Sequence, residues 1–204
     1  MHKAVFLDRD GVLNRMVRRC HGFDSPYSLD EFELFPWVPE AVGAIKDMGY
    51  LAIVTSNQPG VAKGFCTPQF LERLNDEMQS HLEPLGVQFD RIYYCYHHPE
   101  GVVEPYAGPC DCRKPAPGML QRAAEELEVD LSSSFMVGDS PKDVAAGRAA
   151  GCRTIFLGWQ EHHSEDLKKG FSPEPHVMVP DLLQAVRHIQ LATGRGGSNG
   201  NLHR

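Results

Sequence analysis

The chain has 204 residues, 42% of them hydrophobic, and 20 Lys and Arg against 27 Asp and Glu leave a net charge of −7. That length suits one domain with a buried core of its own, and the acidic balance excludes a protein whose main task is coating nucleic acid, which needs positive charge to displace counterions from phosphates. No apolar run approaches the ~20 residues that span a bilayer, and the opening Met1-His2-Lys3-Ala4-Val5-Phe6-Leu7-Asp8 meets a carboxylate too early for a secretory leader, so a cytoplasmic protein with neither membrane nor nucleic acid as partner is expected.

In chain order, short apolar runs alternate with amphipathic segments, the pattern of an α/β fold with helices on both faces of a parallel sheet. Residues 3–7 read as the first strand. Pro39, Val42, Ile45 and Met48 then recur at helical spacing, with Pro39 in the first turn and Gly49 as a stop. A second strand over 50–55 precedes a helix capped by Thr67-Pro68, whose apolar face is Phe70, Leu71, Leu74, Met78 and Leu85. A strand over 89–96 follows, then a helix with Met119, Leu120, Ala123, Ala124 and Leu127 on one side. Strands over 134–137 and 153–156 flank a helix opened by Ser140-Pro141 and ending near Gly151. Residues 161–174 are polar and turn-rich, 176–179 suit an edge strand and 181–191 a last helix. The Gly-rich stretch 193–204 reads as a disordered tail behind a domain of residues 1–192.

Ligands of an open parallel sheet bind beyond the carboxyl ends of its strands. The first strand ends in Asp8-Arg9-Asp10-Gly11, whose carboxylates at i and i+2 of an extended segment project to one side. The run over 134–137 ends in Gly138-Asp139-Ser140-Pro141-Lys142-Asp143. Either motif alone is open to a structural reading, as a turn or as a helix start with acidic groups near its dipole. Together, at equivalent strand ends, their carboxylates repel one another unless a cation intervenes, and a hard cation such as Mg²⁺ prefers such oxygens.

Of the six cysteines, Cys95, Cys110 and Cys112 cluster with His97 and His98, whereas Cys20, Cys66 and Cys152 are scattered. Cys95-Tyr96-His97 and Cys110-Asp111-Cys112 form two ligand pairs separated by a loop, the spacing with which a short segment encloses tetrahedral Zn²⁺. Alternation from Cys95 selects His97 over His98. A metal would order the intervening stretch, which has little helical or strand character.

Taken together, the motifs resemble those of the haloacid dehalogenase superfamily of phosphatases. Phe6-Leu7-Asp8-Arg9-Asp10-Gly11 is similar to its first motif, Ile53-Val54-Thr55-Ser56-Asn57-Gln58 to its second, Arg113-Lys114-Pro115 to its third and Gly138 to Asp143 to its fourth. The resemblance implies a Rossmann-like three-layer sandwich, with Asp8 as nucleophile and Asp10 as general acid and base. It also implies Mg²⁺ held by Asp8, Asp139 and the main-chain carbonyl of Asp10, and phosphate or substrate contacts from Ser56, Asn57, Arg113 and Lys114. Ser56 is preferred to Thr55 because the family has Asn and Gln after the phosphate-binding position. Asp143 admits two readings, orienting Lys114 or a Mg²⁺-bound water, or facing the first turn of its helix.

The zinc loop, with ligands Cys95, His97, Cys110 and Cys112, narrows the resemblance to the heptose bisphosphate phosphatases within that superfamily, and implies a small sugar phosphate substrate. Histidinol-phosphate phosphatases carry a related, shorter loop, and a non-catalytic zinc-binding interaction module is the alternative from another class. The joint presence of Asp8, Asp10, Lys114 and Asp139 argues against that module. Residues 15–27 are longer than the family pattern, and Arg15, Arg18 and Arg19 there read either as a site for a second phosphate or as solvated surface. Ser140 stands where the family often has Lys, with Lys142 nearby. The intervals between motifs leave no room for a cap domain, and a single compact domain is expected to be monomeric.

Overall fold

The computed structural model describes residues 1–20, 22–158 and 171–194. Six parallel strands form one sheet: β1 (Ala4–Leu7), β4 (Leu51–Asn57), β5 (Arg91–Cys95), β6 (Phe135–Gly138), β7 (Arg153–Leu157) and β8 (Val177–Val179), in the order β5-β4-β1-β6-β7-β8. β2 (Val17–Arg19) and β3 (Gly22–Asp24) make a separate antiparallel hairpin. The α-helices among the described residues are α1 (Val38–Asp47), α2 (Pro68–Ser80), α3 (Gly118–Leu127), α4 (Pro141–Ala149) and α5 (Leu182–Ala192).

Period-two alternation along β1 divides the core into two layers. Val5 and Leu7 pack with Val42 and Ile45 of α1 and Val186 and Ile189 of α5. Ala4 and Phe6 face the other way, onto Met119, Leu120 and Ala123 of α3. The result is the expected three-layer α/β sandwich. From β1 the chain builds outward through β4 and β5, then crosses back to lay β6, β7 and β8 on the other side. The strand order therefore reverses at β1, the position where such sheets open a crevice for ligands.

Local signals place the helix starts. Thr67 Oγ1 accepts from the Phe70 amide at 3.2 Å, and Asp181 Oδ1 accepts from the Gln184 amide at 2.9 Å. Leu85 departs from expectation: α2 stops at Ser80, and Leu85 lies in a separate 3-10 turn, 58% exposed. Pro84 has no amide hydrogen to donate to the Ser80 carbonyl, so the α-helical ladder cannot run through it, and Leu82 fills the buried position instead. The β2–β3 hairpin was not foreseen either, because its three-residue strands carry no apolar alternation.

Between β1 and β4 the described residues hold only that hairpin, a 3-10 turn and α1. Between β4 and α3 they hold α2, a 3-10 turn, β5 and a loop, so neither interval contains a second folded unit. Thr193, assigned to the tail from sequence, closes α5 by donating its hydroxyl to the Ile189 carbonyl at 2.8 Å. The rest of that tail, 195–204, and residues 161–170 of the turn-rich stretch lie outside the described residues. No helix among the described residues is long and apolar enough to cross a membrane.

Candidate active site

The reversal at β1 opens a cleft of about 200 Å³ whose lining includes Asp8, Asp10, Ser56, Asn57, Arg113, Lys114 and Asp139. These residues come from the carboxyl ends of β1, β4 and β6 and from the loop before α3. The sheet thus gathers into one cleft the carboxylates and the four residues expected from sequence to contact phosphate or substrate.

Carboxylate oxygens of Asp8, Asp139 and Asp143 lie within 4.8 Å of one another. Lys114 reaches into this group, with Nζ 3.0 Å from Asp8 Oδ1 and paired with Asp143. Its ammonium also donates to the Thr55 carbonyl at 2.8 Å. Burial pushes the lysine towards neutrality, but Asp143 and Asp8 outweigh it and raise its pKa. Asp143 is raised by burial against the opposing pull of Lys114. Both readings of Asp143 hold at once: Oδ2 accepts the Ser140 amide at 3.0 Å in a capping box, while Oδ1 faces Lys114. A Cβ at Gly138 would collide with Asp143, so this approach requires glycine. Three carboxylates around one ammonium leave excess negative charge in a buried space, and this oxygen donor set fits a hard divalent cation.

Asp10 lines the same cleft, and its carboxylate is held there by donors from four residues. Oδ1 accepts from Arg9 Nη2 at 2.9 Å and Asn14 Nδ2 at 3.0 Å, and Oδ2 from Gln58 Nε2 and Ser25 Oγ, both at 2.8 Å. Burial alone would raise its pKa, yet the Arg9 guanidinium and these hydrogen bonds prevail and lower it. Its side chain is therefore not part of the carboxylate group that suits a cation. Arg9, Asn14, Gln58 and Ser25 were not singled out from sequence. The only available signal was the position of Arg9 between two strand-end carboxylates.

Thr55 and Ser56, adjacent on β4, point in opposite directions. Thr55 Oγ1 points to Met136 Sδ in the core, 3.8 Å away, whereas Ser56 faces the cleft. Asn57 lines the cleft as well and grips the loop before α3. Its side-chain oxygen accepts from the Lys114 amide and its nitrogen donates to the Lys114 carbonyl, both at 3.0 Å.

Cys95, His97, Cys110 and Cys112 converge as well, with all four ligand atoms within 4.8 Å. Sulfur separations are 3.1 Å for Cys95 and Cys112, 3.4 Å for Cys110 and Cys112 and 3.5 Å for Cys95 and Cys110. These are far longer than a disulfide at about 2.05 Å, and close to the edge of about 3.8 Å in a tetrahedron of Zn–S bonds. His97 Nδ1 stands 3.6 Å from Cys112 Sγ, while His98 Nδ1 accepts its own turn's Glu100 amide at 3.1 Å. The soft, closed donor set fits zinc, with His97 and not His98 as the nitrogen ligand. Arg113 Nη1 donates to the His97 carbonyl at 3.2 Å, so the loop and the cleft share a hinge of consecutive residues, Cys112-Arg113-Lys114.

Arg15, just before the hairpin, and Arg18 and Arg19 within it stand outside the cleft lining. Arg15 pairs with Glu33 at 2.7 Å, and Arg19 forks onto Glu31 at 2.9 and 3.1 Å with its guanidinium over the Tyr27 ring. Arg18 is exposed. Lys142 does line the cleft, from the first turn of α4.

Comparison with known proteins adds four findings. The chain is 44% identical over 191 residues to the D-glycero-beta-D-manno-heptose-1,7-bisphosphate 7-phosphatase of Pasteurella multocida, covering 92% of this chain and 100% of that one. It is 42% identical over 154 residues to the enzyme of the same name from Escherichia coli K12, covering 76% and 78%. Among solved structures, the D,D-heptose 1,7-bisphosphate phosphatase from B. bronchiseptica, complexed with magnesium and phosphate, superposes with a TM-score of 0.78 at 30% identity, over 93% of this chain and 99% of that one. A family profile described as HAD-hydrolase-like matches residues 111–185, a stretch containing Lys114, Asp139 and Asp143.

Proposed function

Because the chain belongs to the haloacid dehalogenase superfamily of phosphatases, we propose that it hydrolyses the C7 phosphate of D-glycero-D-manno-heptose 1,7-bisphosphate, in the β-anomeric form that the names of its relatives specify. The observation that carries this reading is the placement of Asp8 at the floor of the cleft, within 3.0 Å of Lys114 and beside Asp139.

Asp8 attacks phosphorus, forming an acyl phosphate bond as the bond from phosphorus to the sugar oxygen breaks. Asp10 takes up a proton against the pull of Arg9 as substrate binds and gives it to the departing alkoxide, then takes one from the water that cleaves the aspartyl-phosphate and regenerates Asp8. Lys114 and Ser56 hold the equatorial phosphoryl oxygens, over which transition-state charge is spread. Asp8 and Asp139, with the main chain of Asp10, are the residues that hold Mg²⁺, which when bound neutralises charge so that carboxylate and phosphate can meet. Cys95, His97, Cys110 and Cys112 hold Zn²⁺ in a closed, structural role. Arg113 and Lys142, cationic and on the cleft wall, face the remainder of the substrate. The enzyme is read as a cytoplasmic monomer acting on a small molecule.

The test is phosphate release from both anomers of the heptose bisphosphate, histidinol phosphate and hexose bisphosphates, in the presence of Mg²⁺. The β-heptose bisphosphate should be hydrolysed with the highest kcat/KM. Preference for histidinol phosphate would overturn the substrate assignment, and full activity in Asp8→Asn would overturn the mechanism.

A further inference from the structure

Arg9 is fully buried, a place where a guanidinium is tolerated only if partners replace its hydration. Its Nε and Nη2 fork onto Asp10 Oδ1 at 3.1 and 2.9 Å, and Nη2 also reaches Asp10 Oδ2 and Gln58 Oε1, each at 3.0 Å. The guanidinium carbon lies 5.4 Å from the centroid of the Tyr94 ring, whose hydroxyl donates to Asn75 of α2 at 2.6 Å. Arg9 is thus wedged among β1, β5, α2 and the segment after β4. Gln58 closes a triangle, accepting from Arg9 through its oxygen and donating to Asp10 through its nitrogen at 2.8 Å. Ser25, from the segment that follows the hairpin, adds its hydroxyl to the same Asp10 oxygen at 2.8 Å.

An ion pair that only filled space would need neither the amide of Gln58 nor the hydroxyl of Ser25. Here donors from three separate segments converge on one carboxylate that also lines the cleft. A short side chain on a loop is otherwise free to change rotamer, and displacing a general acid by an ångström costs about 10²-fold in rate. We infer that Arg9, with Gln58 and Ser25, is a positioning residue that holds the Asp10 carboxyl in reach of the leaving sugar oxygen. The inference rests on the proposed role of Asp10 as general acid.

The experiment compares kcat/KM for the heptose bisphosphate, whose alkoxide must be protonated as it leaves, with kcat/KM for 4-nitrophenyl phosphate, whose leaving group departs as a stable anion. Arg9→Met, Ser25→Ala and Asp10→Asn are measured beside the wild-type holoenzyme, with thermal melts and zinc content as fold controls. Because general acids contribute ~10²–10⁴-fold, Asp10→Asn should lose at least about 100-fold more on the sugar phosphate than on the aryl ester. Arg9→Met should show the same selectivity at roughly 100-fold and Ser25→Ala at roughly 10-fold. If Arg9→Met does not fold, Ser25→Ala decides by the same ratio. Equal losses on the two substrates in the folded variants, alongside selective loss in Asp10→Asn, overturn the inference and leave the proposed function standing. Equal losses in Asp10→Asn itself overturn the acid role, and the inference with it.

Discussion

The carboxylate cleft and the thiol cluster meet at Cys112-Arg113-Lys114, yet the two are assembled by opposite means. In the cleft, Asp8, Ser56 and Asp139 stand at or just beyond strand ends, and Asp143 in the first turn of a helix, so the sheet sets their spacing. Lys114 already offsets part of their repulsion. In the cluster only Cys95 belongs to a strand, and His97, Cys110 and Cys112 sit on a loop with little regular structure. Three thiols and an imidazole offer one another weak hydrogen bonds at best, so the metal must supply the cohesion. The sheet therefore carries Asp8, the proposed nucleophile, whereas the loop carries the lysine.

The largest effect should come from separating the two. Asp8→Asn is expected to reduce turnover roughly 10⁴-fold or more while leaving zinc content and the melting temperature near wild type, measured by steady-state kinetics, metal analysis and calorimetry. A parallel loss of zinc in that variant would show that the regions are not independent. Cys112→Ser, or stripping zinc with a chelator, should act through stability first, lowering the Tm by roughly 10 °C. Activity should fall with it as Lys114 loses its anchor.

Lys114→Met attacks the shared hinge. It should lower kcat/KM by about 10²–10³-fold and destabilise by about 3 kcal/mol, because Asp143 is left buried without its partner. Asn57→Ala removes the two hydrogen bonds that hold the Lys114 backbone. About 10-fold in kcat/KM and about 1–2 kcal/mol in denaturant unfolding are expected. The smallest effect belongs to Arg15→Met, whose partner Glu33 is exposed. Stability should change by no more than about 0.5 kcal/mol and KM for the bisphosphate not at all. A several-fold rise in KM would return the hairpin arginines to the substrate.

Much of the site was legible because strand ends and metal spacing are local patterns. The alternation of Val5 and Leu7 against Ala4 and Phe6 places β1 in a two-sided core, and the carboxylates that follow it must emerge at the sheet edge. The hairpin was not legible, because three-residue strands leave no period to read. Nor was the end of α2, where a continuing apolar pattern suggested Leu85 until Pro84 intervened.

By itself the sequence determined the α/β alternation, the helix starts at Thr67, Ser140 and Asp181, and the identity of the groups available for oxygen-loving and sulfur-loving metals. Only the tertiary structure decided which of those groups touch. Asn57 grips Lys114 across the gap between β4 and the loop before α3, Asp143 serves cap and lysine together, and Arg9 turns from its neighbour Asp8 to close on Asp10. Capping and periodicity depend on neighbours along the chain and can be read there. The partners of a buried charge depend on which distant segments the sheet brings beside it, and no local pattern records them.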